Sequence, residues 1–245
     1  MSVDALAALL RERQPCVVLT GAGISTESGI PDFRSASGIW ATVDPFEVAS
    51  IQAFHGDPGR VWQFYRSRID LLLSAEPNAG HLGLAELERR GLVQAIVTQN
   101  IDTLHTRAGS RDVVEVHGSI RSAVCTSCGA EEPCEDVLGQ LEELPAPVCA
   151  GCGSILKPGV VLFGELLPAE AMRRATELAR TAKLMLVVGS SLEVWPVAGL
   201  PLEAGSLAIV NRGPTALDHR AVLKIDGAAG ATLGAVIELL DRDVA

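Results

Sequence analysis

Residues 16–25 read CVVLTGAGIS, a short apolar run that leads into two closely spaced glycines. A run of this length bounded by glycine is typical of a buried parallel strand that enters a turn. Glycine at such a turn lets the backbone approach a pyrophosphate at the start of a helix. The stretch therefore predicts the first strand of a sheet, with a ligand site at its carboxyl end.

Similar apolar runs recur downstream, and segments with helical periodicity lie between several of them. The apolar runs cover residues 93–99, 113–117, 160–163, 184–189 and 207–211, and the helical segments cover 57–74, 79–91, 168–182 and 230–242. Strands that alternate with helices need crossover connections, which make the strands parallel and place helices on both faces. The sequence therefore predicts an α/β fold with a doubly wound, Rossmann-like parallel sheet.

Four cysteines form two pairs, Cys125 with Cys128 and Cys149 with Cys152, and 20 residues separate the pairs. This spacing lets four thiolates surround one zinc ion. Two disulfides are the alternative, which a reducing compartment disfavours, and neither pair has the strand-to-helix context of a redox motif. Because cysteine fills all four positions, the site has no place for a catalytic water and one structural zinc is predicted. Cys134 is then a spare thiol.

Two segments break the alternation of strands and helices. Residues 34–77 carry helix and loop signals without a strand, and residues 120–156 hold five of the six cysteines, including both pairs. A chain of 245 residues can hold one domain and an insertion. We expect a Rossmann-like domain and a small helical and zinc-binding module inserted into it. The domain comprises residues 1–33, 78–119 and 157–245, and the module comprises 34–77 and 120–156.

The chain carries 30 acidic and 20 basic residues, a net charge of −10 at pH 7. Because nucleic-acid binding depends on clustered Lys and Arg, we expect no direct nucleic-acid partner. Asp4 and the charged residues 11–13 make the first stretch a surface helix instead of a signal peptide. No apolar run approaches the roughly 18 residues of a membrane span. We expect a cytoplasmic protein with no membrane partner; its oligomeric state stays open, with a monomer as the default.

The glycines alone do not identify the ligand, since a dehydrogenase fingerprint has glycine where Thr26 stands and a strand ending in an acidic residue about 20 positions later. The longer stretch GAGISTESGIPDFR, residues 21–34, is more informative. It resembles the sirtuin (Sir2) family, as do QNID at 99–102, His117-Gly118, the paired cysteines, Gly189-Ser190-Ser191 and Asn211. The resemblance spans about residues 15–240. It implies a protein-lysine deacylase that consumes NAD, holds one structural zinc, and acts on acylated-lysine proteins or peptides.

The resemblance also implies a mechanism. The acyl-lysine amide oxygen attacks C1′ of the nicotinamide ribose and nicotinamide leaves. His117 then acts as the general base that activates a ribose hydroxyl, which leads to free lysine and O-acyl-ADP-ribose. Histidine suits this role because its ordinary pKa, about 6.5, lets it accept a proton at neutral pH. By itself, a histidine after an apolar strand is more often a core residue, and Asn100 and Asp102 could serve as turn or cap residues.

In this family pattern Asp102 binds the nicotinamide carboxamide, Gln99 and Asn100 hold the ribose, and Phe33 shields the reactive carbon. Asn100 and Asp102 thus join His117 as catalytic candidates. The other implied contacts to the dinucleotide are Gly21, Ala22, Gly23, Ser25, Thr26, Asp32, Arg34, Ile101, Gly189, Ser190, Ser191, Asn211 and Ala229.

Two segments, residues 159–165 (GVVLFGE) and 191–194 (SLEV), resemble those between which the family adds a substrate peptide as a strand. A core strand at 160–163 is compatible with this role. The implied substrate contacts are Val160, Phe163, Gly164, Glu193 and Val194.

Tyr65 and Arg68 are three residues apart and so share one helix face. With EPNAGH at 76–81 they resemble the sirtuin subgroup that removes malonyl, succinyl or glutaryl groups. A guanidinium can bind the distal carboxylate in a bidentate manner, and tyrosine adds a hydroxyl. A solvated surface arginine is the alternative.

Two other functions remain open at the level of sequence. A protein mono-ADP-ribosyltransferase would share the step that cleaves nicotinamide from NAD. A non-catalytic module that binds NAD or ADP-ribose would not need a base, so His117 disfavours it.

Overall fold

A parallel six-stranded sheet forms the centre of the computed structural model, which describes residues 2–33 and 38–242. The strands of the described chain are β1 (Cys16–Thr20), β2 (Ala95–Thr98), β3 (Val113–Glu115), β4 (Gly118–Cys125), β5 (Glu131–Pro133), β6 (Leu156–Val160), β7 (Leu184–Val188), β8 (Leu207–Val210) and β9 (Leu223–Ile225). The large sheet has the order β3-β2-β1-β7-β8-β9, with every neighbouring pair parallel. The strand order reverses between β1 and β7, the kind of switch point at which α/β sheets bind ligands.

Helices cover both faces of this sheet, which confirms the predicted doubly wound fold. The described helices are α1 (Val3–Glu12), α2 (Pro45–Val48), α3 (Ile51–Gly56), α4 (Pro58–Ser74), α5 (Ala79–Arg89), α6 (Leu104–Arg107), α7 (Cys134–Leu138), α8 (Ala169–Thr181) and α9 (Ala229–Arg242). The described 3-10 helices lie at Ala22–Ser28, Ile39–Ala41, Gly139–Glu142, Val197–Glu203 and Asp218–Arg220.

Alternation along β1 places its side chains in two separate cores. Cys16 and Val18 pack with apolar residues of α1, α5 and α9, whereas Val17 and Leu19 pack with α8. All five residues of β1 are buried, as a strand covered on both faces requires. The fully buried β1 therefore holds the turn at residues 21–23 at a fixed place on the sheet.

A second, antiparallel sheet with the order β5-β4-β6 packs against α2, α3, α4 and α7 around a third core. Trp62 of α4 is fully buried there, and its Nε1–H donates to the Leu156 carbonyl of β6 at 2.7 Å. This core joins residues from the two segments that the sequence assigns to a small module. The module boundaries stay a prediction.

The structure departs from the sequence-based strands at several places. Strands β4 and β5 of the antiparallel sheet were not predicted. The strand predicted at 160–163 is wrong, because β6 ends at Val160 and belongs to the antiparallel sheet. Beyond it, Phe163 N–H donates to the Ala49 carbonyl at 2.8 Å. The edge strand β9 has only three residues and was not predicted. Of the helices in the described ranges, none combines the length and apolarity needed to cross a bilayer.

Candidate active site

A cavity of about 1160 Å³ lies at the carboxyl ends of the central strands. Its wall includes Gly21 after β1, Gln99 after β2, Gly189 after β7 and Asn211 after β8. Pockets for one drug-sized ligand usually measure roughly 300–1,000 Å³. The cavity therefore has room for a dinucleotide and for part of a second substrate.

Two glycines meet where the strand order reverses. Gly23 N–H donates to the Gly189 carbonyl at 2.8 Å, and a Cβ on Gly23 would lie 2.8 Å from that oxygen. Gly189 has φ +65°, a conformation that glycine adopts without strain. The turns after β1 and β7 thus pack backbone against backbone, so glycine is needed here for packing as well as for access to a ligand.

A buried polar network forms the floor of the cavity. The Ser25 hydroxyl donates to Asp102 Oδ2 at 2.6 Å and accepts from Asn100 Nδ2 at 3.0 Å. Asp102 Oδ1 accepts the Leu104 N–H at 3.0 Å, and Asn100 also donates to the Gly21 carbonyl at 3.2 Å. Ser25, Asn100 and Asp102 are all at most 6% exposed. These bonds fix the two side chains after β2 against the turn after β1.

His81 lies behind this floor, fully buried at the start of α5. Its Nδ1 accepts the Asn78 N–H at 3.3 Å and completes a capping box, so Nε2 carries the proton and donates to Ser25 Oγ at 3.4 Å. Burial lowers the pKa of His81 to about 4, although Asp102 and Glu27 act in the opposite direction. His81 is therefore neutral at pH 7.

A second buried histidine, His105, packs edge to face against His81 with ring centroids 4.9 Å apart. Its Nε2 lies 2.9 Å from Thr20 Oγ1, which bonds to Thr98 Oγ1 at 2.8 Å. Thr98 Oγ1 accepts the Asn100 N–H at 3.1 Å. Burial lowers the pKa of His105 to about 3, and no described residue hydrogen-bonds to its Nδ1.

His117 lies half-buried in the turn between β3 and β4 and lines the cavity. Its Nδ1 is 3.0 Å from the Gln99 carbonyl oxygen. A carbonyl can only accept, so Nδ1 carries the proton and Nε2 is the basic nitrogen of the neutral ring. Gln99 is itself held by bonds from its Nε2 to Ser190 Oγ at 3.0 Å and to the Thr20 carbonyl at 3.3 Å.

Aromatic side chains form one wall of the cavity. Phe33 stacks on Trp40 with ring centroids 5.3 Å apart, and Trp40 stacks on Phe64 at 6.0 Å. The Arg68 guanidinium covers the Phe64 ring at 3.6 Å and donates to the Phe64 carbonyl at 2.8 Å. Tyr65 is 8% exposed beside it. Burial raises the pKa of Tyr65, and the nearby Arg68 charge offsets only part of this effect. Partial burial lowers the pKa of Arg68.

Every predicted catalytic, nucleotide-binding and substrate-binding residue within the described ranges lines this cavity. Arg34 lies outside the described residues. The placement brings residues distant in sequence together, and their individual roles stay predictions. Sequence reasoning did not assign His81 or His105 to the floor. His81 closes EPNAGH, and its capping position at the start of α5 was the available signal.

The four predicted zinc ligands converge at the end of the antiparallel sheet. Their sulfur atoms all lie within 4.8 Å of one another, with Sγ–Sγ distances of 3.4 Å from Cys125 to Cys152 and 3.8 Å from Cys128 to Cys149. Zinc–thiolate bonds of about 2.3 Å in a tetrahedron place the sulfurs about 3.8 Å apart. The cluster thus fits one zinc ion held by four thiolates. Cys134 is fully buried in the adjacent core and is not part of this cluster.

Known proteins of similar sequence cover almost the whole chain. The family model described as "Sir2 family" matches residues 21–196. The chain is 45% identical to "NAD-dependent protein deacylase 2" of Pyrobaculum aerophilum, over 97% of this chain and 95% of that protein. It is 46% identical to "NAD-dependent protein deacetylase" of Thermotoga maritima, over 88% of this chain and 89% of that protein.

Solved structures give the same answer for the fold and the family. The structure "Sir2-p53 peptide-NAD+" superposes with a TM-score of 0.91 at 41% identity, covering 99% of this chain and 100% of that chain. This chain belongs to the Sir2 family.

Proposed function

We propose that this protein is an NAD-dependent protein-lysine deacylase that transfers the acyl group to ADP-ribose and releases nicotinamide. The observation that carries the proposal is the position of His117. Its ring has a basic Nε2 and lines the same cavity as Asn100 and Asp102. A binding module has no use for a base at this position. Relatives named as NAD-dependent deacylase and deacetylase support the same activity.

The two ends of the cavity suit the two halves of NAD. Asp102, Asn100 and Gln99 would hold the nicotinamide and its ribose, and Asn211 and Ala229 would hold the adenosine half. When bound, NAD supplies a ribose C1′ from which nicotinamide can leave. The network around Ser25 keeps Asp102 and Asn100 oriented before the nucleotide arrives, so little ordering is needed on binding.

His117 is prepared for proton transfer by its partner. The Gln99 carbonyl accepts the Nδ1–H, which fixes the tautomer and the orientation of the ring. Nε2 can then take the proton of a ribose hydroxyl as that oxygen attacks the acyl carbon. The Phe33–Trp40–Phe64 stack would exclude water from the reacting carbon.

We further propose a preference for acidic acyl groups, carried by Tyr65 and Arg68. Both line the cavity beside the aromatic wall. The Arg68 guanidinium bonds only to a carbonyl and a hydroxyl in the described contacts, Phe64 O at 2.8 Å and Ser67 Oγ at 3.1 Å, so its charge has no carboxylate partner there. A malonyl, succinyl or glutaryl carboxylate would supply that partner.

Mass spectrometry of acyl-lysine peptides incubated with NAD tests this function. We expect acyl loss with formation of nicotinamide and O-acyl-ADP-ribose, and at least a 100-fold lower rate for His117→Ala, as for loss of a general base. Gain of ADP-ribose by the peptide, without acyl loss, would instead show an ADP-ribosyltransferase.

The four-thiolate cluster also favours a reducing compartment, where thiolates stay available to zinc. We therefore place the activity in the cytoplasm. Detection of the tagged protein after cell fractionation would test this location.

A further inference from the structure

Lys157 of β6 makes three hydrogen bonds, all to residues that follow it closely in sequence. Its ammonium donates to the carbonyls of Val160 at 2.6 Å and Pro158 at 3.0 Å, and to Glu165 Oε2 at 3.1 Å. The Lys157 side chain is 15% exposed and the Glu165 side chain 22%. This is a largely buried ion pair, and none of the site roles described above uses it.

Glu165, the partner of Lys157, also makes hydrogen bonds to Leu162. Its Oε2 accepts the Leu162 N–H at 2.7 Å, and its own N–H donates to the Leu162 carbonyl at 3.0 Å. The segment 160–165 is thus tied to β6 through Lys157 and to itself through Glu165. Gly164, with φ +88°, forms the turn that brings the carboxylate back.

The segment 160–165 also contacts the proposed catalytic base. Val161 N–H donates to the backbone carbonyl of His117 at 2.9 Å. On the other side, Phe163 exchanges backbone hydrogen bonds with Ala49 and Ile51 at 2.8 and 2.9 Å. A change in the path of this segment would therefore displace both the backbone that is predicted to pair with a substrate peptide and His117.

We propose that Lys157 and Glu165 are positioning residues that hold segment 160–165 in the path that receives a substrate peptide. The inference rests on the proposed function. An extended segment binds a peptide tightly only if it is ordered beforehand, because ordering on binding costs free energy. The hydrogen bond from the Lys157 ammonium to the Val160 carbonyl supplies that order at the residue where β6 ends.

The identity of residue 157 fits this role. The chain has 20 basic residues, of which only Lys157, Lys183 and Lys224 are lysine. An ammonium presents three N–H groups around one atom, which matches the three acceptors around Lys157. An arginine presents a planar fork that cannot converge on them in the same way.

Steady-state kinetics on an acyl-lysine peptide and NAD test the proposal. For Lys157→Met we expect the KM for the peptide to rise at least tenfold, with the KM for NAD within twofold of the parent. The buried Glu165 carboxylate would then lack its cation, and the double variant K157M/E165Q should recover at least threefold of the loss, because a lone buried charge costs more than no pair. Glutamine still offers an oxygen to the Leu162 N–H.

Lys224→Met is the matched control. Lys224 is 17% exposed, pairs with Asp218 at 2.8 Å and donates to the Gly213 carbonyl at 2.9 Å, in the β8–β9 region. Lys224→Met removes an ion pair whose lysine is buried to a similar degree but which lies away from segment 160–165, so the peptide KM should stay within twofold. If K157M does not fold, Glu165→Gln takes its place, with at least a threefold rise in peptide KM expected.

A peptide KM unchanged in the variant tested, or raised equally by K157M and K224M, would overturn the positioning role. A parent protein without deacylase activity would instead refute the proposed function.

Discussion

The Ser25 hydroxyl donates a 2.6 Å hydrogen bond to Asp102 Oδ2, which joins the turn after β1 to the turn after β2. The same oxygen accepts from Asn100 and from His81. One buried hydroxyl thus orients the amide and the carboxylate to which the proposed function assigns nicotinamide and ribose. The strands bring these groups close, and Ser25 sets their directions.

Ser25→Ala should lower kcat/KM for NAD at least tenfold, because Asp102 loses a charge-assisted bond that fixes its direction. Kinetics at saturating peptide would measure this. Ser206→Ala is the control: Ser206 is also buried and makes one 2.6 Å bond, to the Lys183 carbonyl, at the amino end of β8. Both variants should lose about 1–3 kcal/mol of stability. Equal activity of the two variants would contradict the orienting role of Ser25.

Arg68→Ala should lower activity on succinyl-lysine at least tenfold more than activity on acetyl-lysine. The guanidinium lines the cavity and can pair with a distal carboxylate, which an acetyl group lacks. Arg66→Ala is the control on the same helix, since its guanidinium donates outward to the Leu141 carbonyl. Equal losses on both substrates for Arg68→Ala would remove the acidic-acyl preference and leave the deacylase activity intact.

Stability should fall as the pH falls from 6.5 to 5. Burial lowers the pKa of His81 to about 4 and of His105 to about 3, so in this range the unfolded chain binds protons that the folded protein does not. An ordinary histidine in the unfolded chain has a pKa of about 6.5. The two groups together should therefore lower the free energy of unfolding by about 3 kcal/mol across this window. Glu115, whose pKa is raised by burial, acts in the opposite direction. Urea unfolding at several pH values would measure the slope; a flat profile would show that the histidines are not buried and neutral.

The purified protein should hold one zinc ion per chain, measured by elemental analysis. Cys149→Ser should lose the metal and lower the Tm, because binding energy at such a site is folding energy. Cys134→Ala, in the core next to the cluster, should keep the zinc. Zinc loss in both variants would mean that Cys134 belongs to the ligand set.

Local sequence patterns predicted the parallel sheet because its strands are buried on both faces and read as continuous apolar runs, as in β1 and β7. The same rule failed at Val160–Phe163, where the apolar side chains pack into the core of the antiparallel sheet. Strand β9 was missed because Lys224 lies at the centre of its three residues and leaves no apolar run, whereas the equally short β3 begins with two valines.

For the site, motif resemblance located the residues that face the cavity but not those that support them. His105 and His81 lie on helices where a buried histidine has no distinct spacing, and their partners Thr20 and Ser25 are distant in sequence. Likewise, no local pattern distinguishes Lys157, because its three acceptors converge only after the segment turns at Gly164. Support of this kind depends on tertiary structure.

A crystal structure of the protein with NAD and an acyl-lysine peptide would test the central claim most directly. We predict that His117 Nε2 lies within hydrogen-bonding distance of a hydroxyl of the nicotinamide ribose, with Asp102 at the carboxamide. A dinucleotide bound in the cavity with its ribose beyond the reach of His117 would contradict the claim.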